Sequence, residues 1–304
     1  MLRYATFALG CALVFGAFAP VAAATPAAHT RTSITRFVEI DGGARIRVRE
    51  EGPRDAPAIV LLHGFTMSLE SWDGWAARLA GDYRVIRYDL LGHGMTGRDP
   101  LRRYAPAERI EVLAALMDAL GLERATLAGN SFGGLVAWRF AARYPERVDR
   151  LILVDAAAYS INGVTERPVA VPEAMRAYLL AVPRVAVEAS AQLIFAHPEN
   201  LPEGRLAQIR AMMARPGNGQ AMVEHLEEFV LPDPEPDLAR VAAPTLILWG
   251  EQDRIIPLDQ ARQLAAAIPN ARLITYPDVG HAPQEEIPDR SAADVRAFLA
   301  EATR

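Results

Sequence analysis

The first clear pattern of hydrophobic and polar positions is an alternation on both sides of a turn. Apolar and polar residues alternate over residues 36–40 and again over 44–50, with Asp41-Gly42-Gly43 between them. Alternation gives a strand one buried and one exposed face, and a short glycine-containing segment between two such strands predicts a hairpin. We therefore expect these residues to form a hairpin at the edge of a sheet.

Short apolar runs without alternation follow this hairpin. Such runs are typical of strands that are buried on both faces, as in a parallel sheet. The strands predicted in this way are 58–62, 85–88, 125–128, 151–154, 245–249 and 272–276. Segments with helical spacing lie between them, at 72–79, 107–120, 132–143, 259–267 and 289–300. Because strands and helices alternate, the expected fold class is α/β, with a doubly wound and mostly parallel sheet.

Residues 156–241 interrupt the alternation of strands and helices. They are rich in Ala, Leu, Met and Pro, they carry no strand pattern, and they end on the proline-rich segment 231–236. We interpret them as a helical lid inserted between two strands of one domain. The expected organisation is a leader at 1–24, a linker at 25–35, core at 36–155, lid at 156–241 and core again at 242–304.

Composition limits the classes of function. Hydrophobic residues make up 51% of the chain and charged residues 23%, which favours a large core over disorder. The 32 basic and 37 acidic residues give a net charge of -5, which argues against a nucleic-acid partner. All the basic residues are arginines, so lysine-based Schiff-base chemistry and a Ser-Lys dyad are excluded. The one cysteine, Cys11, lies in the leader, which leaves no thiol nucleophile or cysteine metal cluster in the body.

The leader has the three-part layout of a secretory signal. Arg3 supplies the positive start, an uncharged apolar stretch follows, Pro20 breaks the helix, and Ala22-Ala23-Ala24 offers a cleavage site. We expect export to the periplasm or the medium. The apolar stretch is also long enough to span a bilayer, so an uncleaved anchor in the inner membrane stays open as the alternative.

The strongest candidate for chemistry is the segment Gly129-Asn130-Ser131-Phe132-Gly133-Gly134. It follows the predicted strand 125–128 and opens the predicted helix 132–143. A sharp turn from strand to helix brings two backbones close together, so Gly129 and Gly133 leave Ser131 exposed at the apex. The helix N-terminus there favours developing negative charge. Ser131 is the predicted nucleophile.

A serine hydroxyl needs a general base, and the base needs an orienting acid. Of the six histidines, His281 follows the last predicted strand on a loop loosened by Gly280, so it can reach the carboxyl edge of the sheet. Asp253 follows the predicted strand 245–249 and is the preferred acid. Asp155 follows the predicted strand 151–154 and is the rival acid.

The order Ser131, Asp253, His281 is nucleophile, acid, base, which is the order in the α/β-hydrolase fold. The chain also carries the motifs His63-Gly64-Phe65, Asp89-x-x-Gly92-x-Gly94, Gly250-x-x-Asp253 and Gly280-His281. Over residues 36–302 the sequence therefore resembles an α/β hydrolase of the lidded esterase and lipase type. The resemblance implies that the backbone N–H groups of Phe65 and Phe132 form an oxyanion hole.

A few sequence positions distinguish this chain from several other groups of this superfamily. Haloalkane dehalogenases and epoxide hydrolases use an Asp nucleophile, whereas position 131 is Ser. The C–C hydrolases of aromatic ring-cleavage pathways tend to carry Gly-Pro-rich sequence after His-Gly and Trp after the histidine, where this chain has Thr66-Met67-Ser68 and Ala282. That group stays open, as do hydroxynitrile lyases and perhydrolases. The sequence carries no haem, flavin, nucleotide or metal signature, so no cofactor and no metal are expected.

The expected function is hydrolysis of small-molecule carboxylic esters through an acyl-enzyme. Alternatives are the same triad used for C–C hydrolysis, acyl transfer, peptidase or perhydrolase activity, or a non-catalytic binder, which a degenerate triad would favour. Apolar lid residues form either an acyl pocket or the lid's own core: Met175, Leu179, Leu180, Phe195, Met212, Met213 and Met222. No protein partner is implied, and membrane association depends on the leader.

Overall fold

A computed structural model describes residues 33–301 of the chain. The strands are β1 (Ser33–Ile40), β2 (Ala44–Glu51), β3 (Ala58–Leu62), β4 (Arg84–Tyr88), β5 (Ala125–Asn130), β6 (Val148–Val154), β7 (Thr245–Gly250) and β8 (Ala271–Tyr276). The helices are α1 (Asp73–Leu79), α2 (Pro106–Ala119), α3 (Phe132–Arg143), α4 (Glu173–Ala181), α5 (Arg184–Ile194), α6 (Arg205–Met213), α7 (Asn218–Glu228), α8 (Glu235–Leu238), α9 (Leu258–Ala267), α10 (Pro283–Glu286) and α11 (Pro288–Ala300). Short 3₁₀ helices occupy Leu69–Trp72, Pro145–Arg147 and Pro198–Asn200.

The described strands form one eight-stranded sheet with the order β1-β2-β4-β3-β5-β6-β7-β8. β1 pairs with β2, and β2 with β4, in antiparallel fashion, and all the other neighbours are parallel. The carboxyl ends of β5, β6, β7 and β8 therefore lie at one edge of the sheet, where α/β proteins bind their ligands.

Both faces of the sheet are covered, and β3 is apolar at every position. In β3, Val60 and Leu62 pack with α2, α3 and α9 in one core cluster. Ile59 and Leu61 pack with α1 and α11 in a second cluster on the other face. Burial on both faces explains why these strands are predicted by continuous apolar runs rather than by alternation. The fold is the doubly wound α/β sheet expected from the sequence, and the edge hairpin is confirmed.

The segment between β6 and β7 contributes five helices, α4 to α8, and no strand of the sheet. It has its own core cluster, which includes Leu179, Phe195, Met213 and Met222 and also contacts Met67 of the main domain. We call this segment the helical insertion.

The predicted leader lies outside the described residues. Within residues 33–301, no single helix is long and apolar enough to cross a membrane. Helices α4 and α5 reach that hydropathy only as a pair, and the pair is bent by 112°.

Candidate active site

Ser131 stands alone between the last residue of β5 and the first residue of α3. Its backbone has φ 54° and ψ -118°, a conformation that non-glycine residues rarely adopt. A Cβ on Gly129 would lie 2.3 Å from the carbonyl oxygen of Gly133, and one on Gly133 would lie 2.2 Å from that of Leu62. Side chains are therefore excluded on both sides of the turn, which is the structural reason for the two glycines around Ser131.

His281 and Asp253 are joined by a short hydrogen bond. Nδ1 of His281 lies 2.7 Å from Oδ2 of Asp253, and the Asp253 side chain is fully buried. The other carboxylate oxygen of Asp253 accepts the backbone N–H groups of Ile255 at 2.7 Å and Ile256 at 2.9 Å. Since Asp253 is an acceptor, Nδ1 carries the proton and Nε2 is free to accept one.

The loop that carries His281 is held by the helical insertion. The N–H of His281 donates to the carbonyl oxygen of Ile194, at the end of α5, over 2.6 Å. Glu286 accepts the N–H of Gly280 with one oxygen and the N–H of Ala196 with the other, both at 2.8 Å. The position of the imidazole therefore depends on α5 as well as on the sheet.

Asn130 is a member of the site that sequence analysis did not single out. Its buried side-chain amide donates to the backbone carbonyl of His281 at 3.0 Å and to that of Val154 at 3.1 Å. Asn130 thus ties the loop of His281 to the turn that presents Ser131. The G-x-S-x-G pattern leaves the residue before the serine unspecified, so it gave no signal for this role.

Both candidate acids lie in the site. Asp155 follows β6, is fully buried, has φ 43°, and accepts the N–H of Gly250 at 2.9 Å. One ligand atom from each of Asp155, Asp253 and His281 lies within 4.8 Å of the others. Burial, followed by the neighbouring charge of Asp253, raises the pKa of Asp155 well above its usual range. Three such groups are close enough to share a metal ion, and in this arrangement Asp253 and His281 are hydrogen-bonded to each other.

Ser131 and His281 open onto the same cavity of about 200 Å³. Its other lining residues are Gly64, Phe65, Thr66, Met67, Asn130, Met175, Tyr178, Ser190, Leu193, Ile194 and Ile255. Within the described residues, the Ser131 hydroxyl makes no hydrogen bond to His281. Such bonds are often long in a free enzyme and tighten when substrate binds.

Only one of the lid residues expected at an acyl pocket lines this cavity, namely Met175. Leu179, Phe195, Met213 and Met222 close the core of the helical insertion, Leu180 is exposed, and Met212 is half-buried outside both this core and the cavity. Tyr178, Leu193 and Ile194 form the cavity wall in their place. Most of the seven residues therefore form the core of the helical insertion rather than an acyl pocket. Residues of one helix differ in this respect: in α4, Leu179 packs in that core and Met175 lines the cavity.

The two residues expected to supply oxyanion amides pack their rings against one histidine. Phe65 stacks on His225 with ring centroids 5.1 Å apart, and Phe132 meets His225 edge-on at 4.3 Å. Nδ1 of His225 lies 3.1 Å from Nη2 of the buried Arg109. Phe132 is the first residue of α3, where backbone N–H groups have no acceptor within the helix. The oxyanion role of both amides stays a prediction.

Other titratable groups from the sequence motifs have structural partners. Nε2 of His63 accepts the N–H of Leu90 at 3.0 Å, and burial lowers the pKa of His63 to about 4. Asp89 accepts the N–H groups of Leu69 and Met95 and pairs with Arg47. These contacts set them apart from the reaction centre.

Comparison with known proteins identifies the family. Residues 57–288 match the family model of the α/β hydrolase fold. The chain belongs to the α/β-hydrolase family. It is 35% identical to a 2-hydroxymuconate semialdehyde hydrolase of Pseudomonas putida over 274 residues, covering 86% of this chain and 92% of the relative. It is 28% identical to a 2-hydroxy-6-oxo-6-phenylhexa-2,4-dienoate hydrolase of Burkholderia cepacia, covering 89% and 98%.

Among solved structures, the hydrolase resembles a membrane phospholipase A described as a bacterial virulence factor. The TM-score is 0.75 at 26% identity, covering 88% of this chain and 86% of the other. The relatives are named as hydrolases, so the expectation that this chain is a hydrolase is confirmed. The names of the curated relatives favour the C–C hydrolase alternative over ester cleavage.

Proposed function

We propose that the hydrolase works through Ser131 as nucleophile, His281 as general base and Asp253 as orienting acid. The observation that carries this proposal is the 2.7 Å contact between Asp253 and Nδ1 of His281, at a cavity whose wall also contains Ser131. The contact fixes the tautomer in which Nε2 accepts a proton. The mechanism calls on no metal and no cofactor.

The proposed reaction consists of the following proton and electron-pair transfers. Nε2 of His281 takes the hydroxyl proton as Ser131 Oγ attacks a carbonyl carbon, and the backbone amides of Phe65 and Phe132 stabilise the oxyanion. The bond to the leaving group breaks, and His281 protonates that group. A water molecule, deprotonated by His281, then attacks the acyl-enzyme and releases the acid.

Hydrolysis of a carbon–carbon bond next to a carbonyl group is the first candidate reaction. The curated relatives named above are hydrolases of a muconate semialdehyde and of an oxo-phenylhexadienoate, names that describe carbonyl compounds rather than esters, and they align along nearly their whole length. In this reaction the leaving group is a carbanion that His281 or water protonates, and the Ser131 acyl-enzyme is the same.

Ester hydrolysis is the second candidate, and the cavity lining favours it. The name of the dienoate hydrolase describes a carboxylate substrate. The residues that line the cavity include no arginine, and most of them are apolar. An anionic group is costly to bury without a paired cation, so this lining suits an uncharged apolar acyl group.

Two experiments test the proposal. A fluorophosphonate probe is expected to label the wild-type enzyme at Ser131, and labelling that survives Ser131→Ala would exclude this nucleophile. To identify the bond, kcat/KM is compared for p-nitrophenyl esters of increasing acyl length and for 2-hydroxy-6-oxo-6-phenylhexa-2,4-dienoate. The preferred substrate class decides between the two candidates, and Ser131→Ala must abolish turnover of either class.

We also propose that the enzyme acts outside the cytoplasm, as periplasmic, secreted or membrane-anchored protein. Support comes from the layout of Arg3, Pro20 and Ala22-Ala23-Ala24. Cell fractionation with N-terminal sequencing distinguishes the cases. A soluble exported protein that begins near Thr25 means cleavage, and full-length protein in the membrane fraction means an anchor. Full-length soluble protein in the cytoplasm contradicts export.

A further inference from the structure

Two buried carboxyl groups face each other next to His281. Asp155 and Asp253 come from the ends of neighbouring parallel strands, and neither side chain is exposed. One carboxylate oxygen from each acid and one ring nitrogen of His281 lie within 4.8 Å of one another. Oδ2 of Asp155 is buried and has no hydrogen-bond partner among the described residues. An orphaned oxygen beside a second carboxyl group needs a physical explanation.

The hydrogen-bond donors show which of the two groups is ionised. Asp253 receives three donors, the N–H groups of Ile255 and Ile256 and Nδ1–H of His281. Asp155 receives one, the N–H of Gly250. Donors stabilise a carboxylate, and two adjacent buried carboxylates cannot both stay charged without a large cost. The negative charge therefore belongs on Asp253 and the shared proton on Asp155.

The surroundings of Asp155 point in the same direction. Burial raises the pKa of Asp155, and the charges of Asp253 and Glu286 raise it further. Tyr276 is the other titratable neighbour, and its pKa is itself raised by burial and by Asp294. Within the described residues, no arginine pairs with Asp155 to offset these effects.

We propose that Asp155 is a positioning residue that stays protonated and donates a hydrogen bond from Oδ2 to the Asp253 carboxylate. The proposal rests on the proposed triad, since it concerns the acid that orients His281. The proton removes the repulsion between the two carboxyl groups and gives the orphaned Oδ2 a partner. Asp155 thereby holds Asp253 in the orientation that binds Nδ1 of His281.

The backbone fixes Asp155 in this orientation. Its N–H donates to the carbonyl of Leu248 in β7, and its φ of 43° turns the chain away from β6. The N–H of Ser131 donates to the carbonyl of Val154, the residue before Asp155. One strand end thus supports both the nucleophile and the proposed proton donor.

The test compares Asp155→Asn with Asp155→Ala and Asp253→Asn in the full-length enzyme. Asparagine keeps a donor toward Asp253 and an acceptor for Gly250, so Asp155→Asn should stay within about threefold of wild-type kcat. Its kcat/KM profile against pH should keep the midpoint of its acidic limb. Asp155→Ala removes the donor and should lower kcat about 10- to 100-fold. Asp253→Asn should lower kcat by about 10⁴-fold.

A second readout does not depend on activity. The infrared difference spectrum between wild type and Asp155→Asn at pH 7 should show the loss of the carbonyl stretch of a neutral carboxylic acid. Loss of a carboxylate stretch instead, or a downward shift of the acidic midpoint by about one pH unit in Asp155→Asn, would mean that Asp155 is ionised and would overturn the proposal.

The two proposals fail in different ways. If turnover survives Ser131→Ala, the triad is wrong, while the infrared spectrum still decides whether Asp155 carries a proton. If Asp155→Asn abolishes turnover and Asp253→Asn does not, the two acids have exchanged roles and the positioning proposal is overturned. Should Asp155→Ala fail to fold, Asp155→Asn and the infrared measurement decide alone.

Discussion

The side-chain amide of Asn130 donates a hydrogen bond to the backbone carbonyl of His281 over 3.0 Å. This contact joins the end of β5 to the loop of His281, 151 residues further along the chain. Ser131, the proposed nucleophile, directly follows Asn130, so this buried side chain helps to set its distance from His281, the proposed base.

Asn130→Ala is expected to reduce both stability and turnover. The substitution leaves the carbonyl oxygens of His281 and Val154 each without one donor, which should lower the unfolding free energy by about 1–3 kcal/mol. Loss of the link between the loops should also lower kcat by about tenfold or more. Denaturant unfolding and steady-state kinetics measure the two effects. Asn270→Ala is the matched control, because the Asn270 contact is exposed and long, at 3.4 Å. Equal effects of both variants would contradict the linking role.

Gly133→Ala tests the close approach of two backbones beneath Ser131, the proposed nucleophile. The added methyl group would lie 2.2 Å from the carbonyl oxygen of Leu62, and this atom belongs to a central strand that cannot move freely. The unfolding free energy should fall by at least about 1–3 kcal/mol, and labelling of Ser131 by fluorophosphonate should slow. Gly81→Ala is the control, because its methyl group would meet nothing within 4 Å. A Gly133→Ala enzyme with wild-type stability would show that the turn tolerates a side chain.

The buried ion pair between Arg205 and Glu285 links α6 of the helical insertion to α10. Nε and Nη2 of Arg205 donate to the two carboxylate oxygens at 2.6 and 2.9 Å. Glu285→Gln would leave a buried guanidinium without its counter-charge, and we expect a loss of about 3–5 kcal/mol in unfolding free energy. Amide hydrogen exchange should accelerate first in α6.

The control for that prediction is Glu188→Gln, which breaks an exposed i,i+4 pair with Arg184. Its effect should stay within about 0.5 kcal/mol, because solvent screens exposed ion pairs. If both variants lose the same stability, the buried pair does not anchor the insertion.

Acid should destabilise the fold between about pH 6.5 and pH 4 through its buried histidines. Burial lowers the pKa of His63 to about 4 and those of His93 and His225 well below their usual value. The unfolded chain therefore binds more protons in this range, so their contribution to stability is complete above pH 6.5 and is lost as the pH falls. The three histidines together should cost on the order of a few kcal/mol at pH 5.5. A protonated Asp155 acts in the opposite direction, because its raised pKa makes the folded enzyme bind the extra proton.

Denaturant unfolding of Asp155→Asn, which lacks the opposing group, at pH 7.5 and 5.5 checks this prediction. An unfolding free energy that stays constant between the two pH values would show that these histidines bind protons as readily in the folded enzyme as in the unfolded chain.

Local sequence patterns predicted the parts of the fold that depend on local burial. The strand 58–62 and the helix 132–143 are predicted with the bounds that the structure shows, because their apolar spacing reflects their own surroundings. The helix at 72–79 begins one residue later in the structure, because a 3₁₀ turn covers Leu69–Trp72. The four-residue helix α10 is too short to show a helical repeat, so its pattern predicted nothing.

Less of the site than of the fold could be predicted from the sequence. Ser131, Asp253 and His281 stand in recognisable turns after strands, so their positions could be predicted. Asn130 contacts a residue about 150 positions away, and His225 contacts one about 90 positions away. A local sequence pattern cannot predict such long-range contacts. The two acids could not be ranked from sequence beyond strand order, since their difference lies in the number of backbone donors that each receives.

Ile194 performs two tasks with different parts of one residue. Its side chain lines the cavity, and its carbonyl oxygen holds the N–H of His281. We therefore expect changes at the end of α5 that widen substrate scope to shift His281, the proposed base, through this backbone bond and to lower turnover. Met175 also lines the cavity, and among the described contacts its helix α4 makes no backbone bond to His281. We therefore expect substitutions at Met175 to change specificity with less effect on turnover than substitutions at the end of α5.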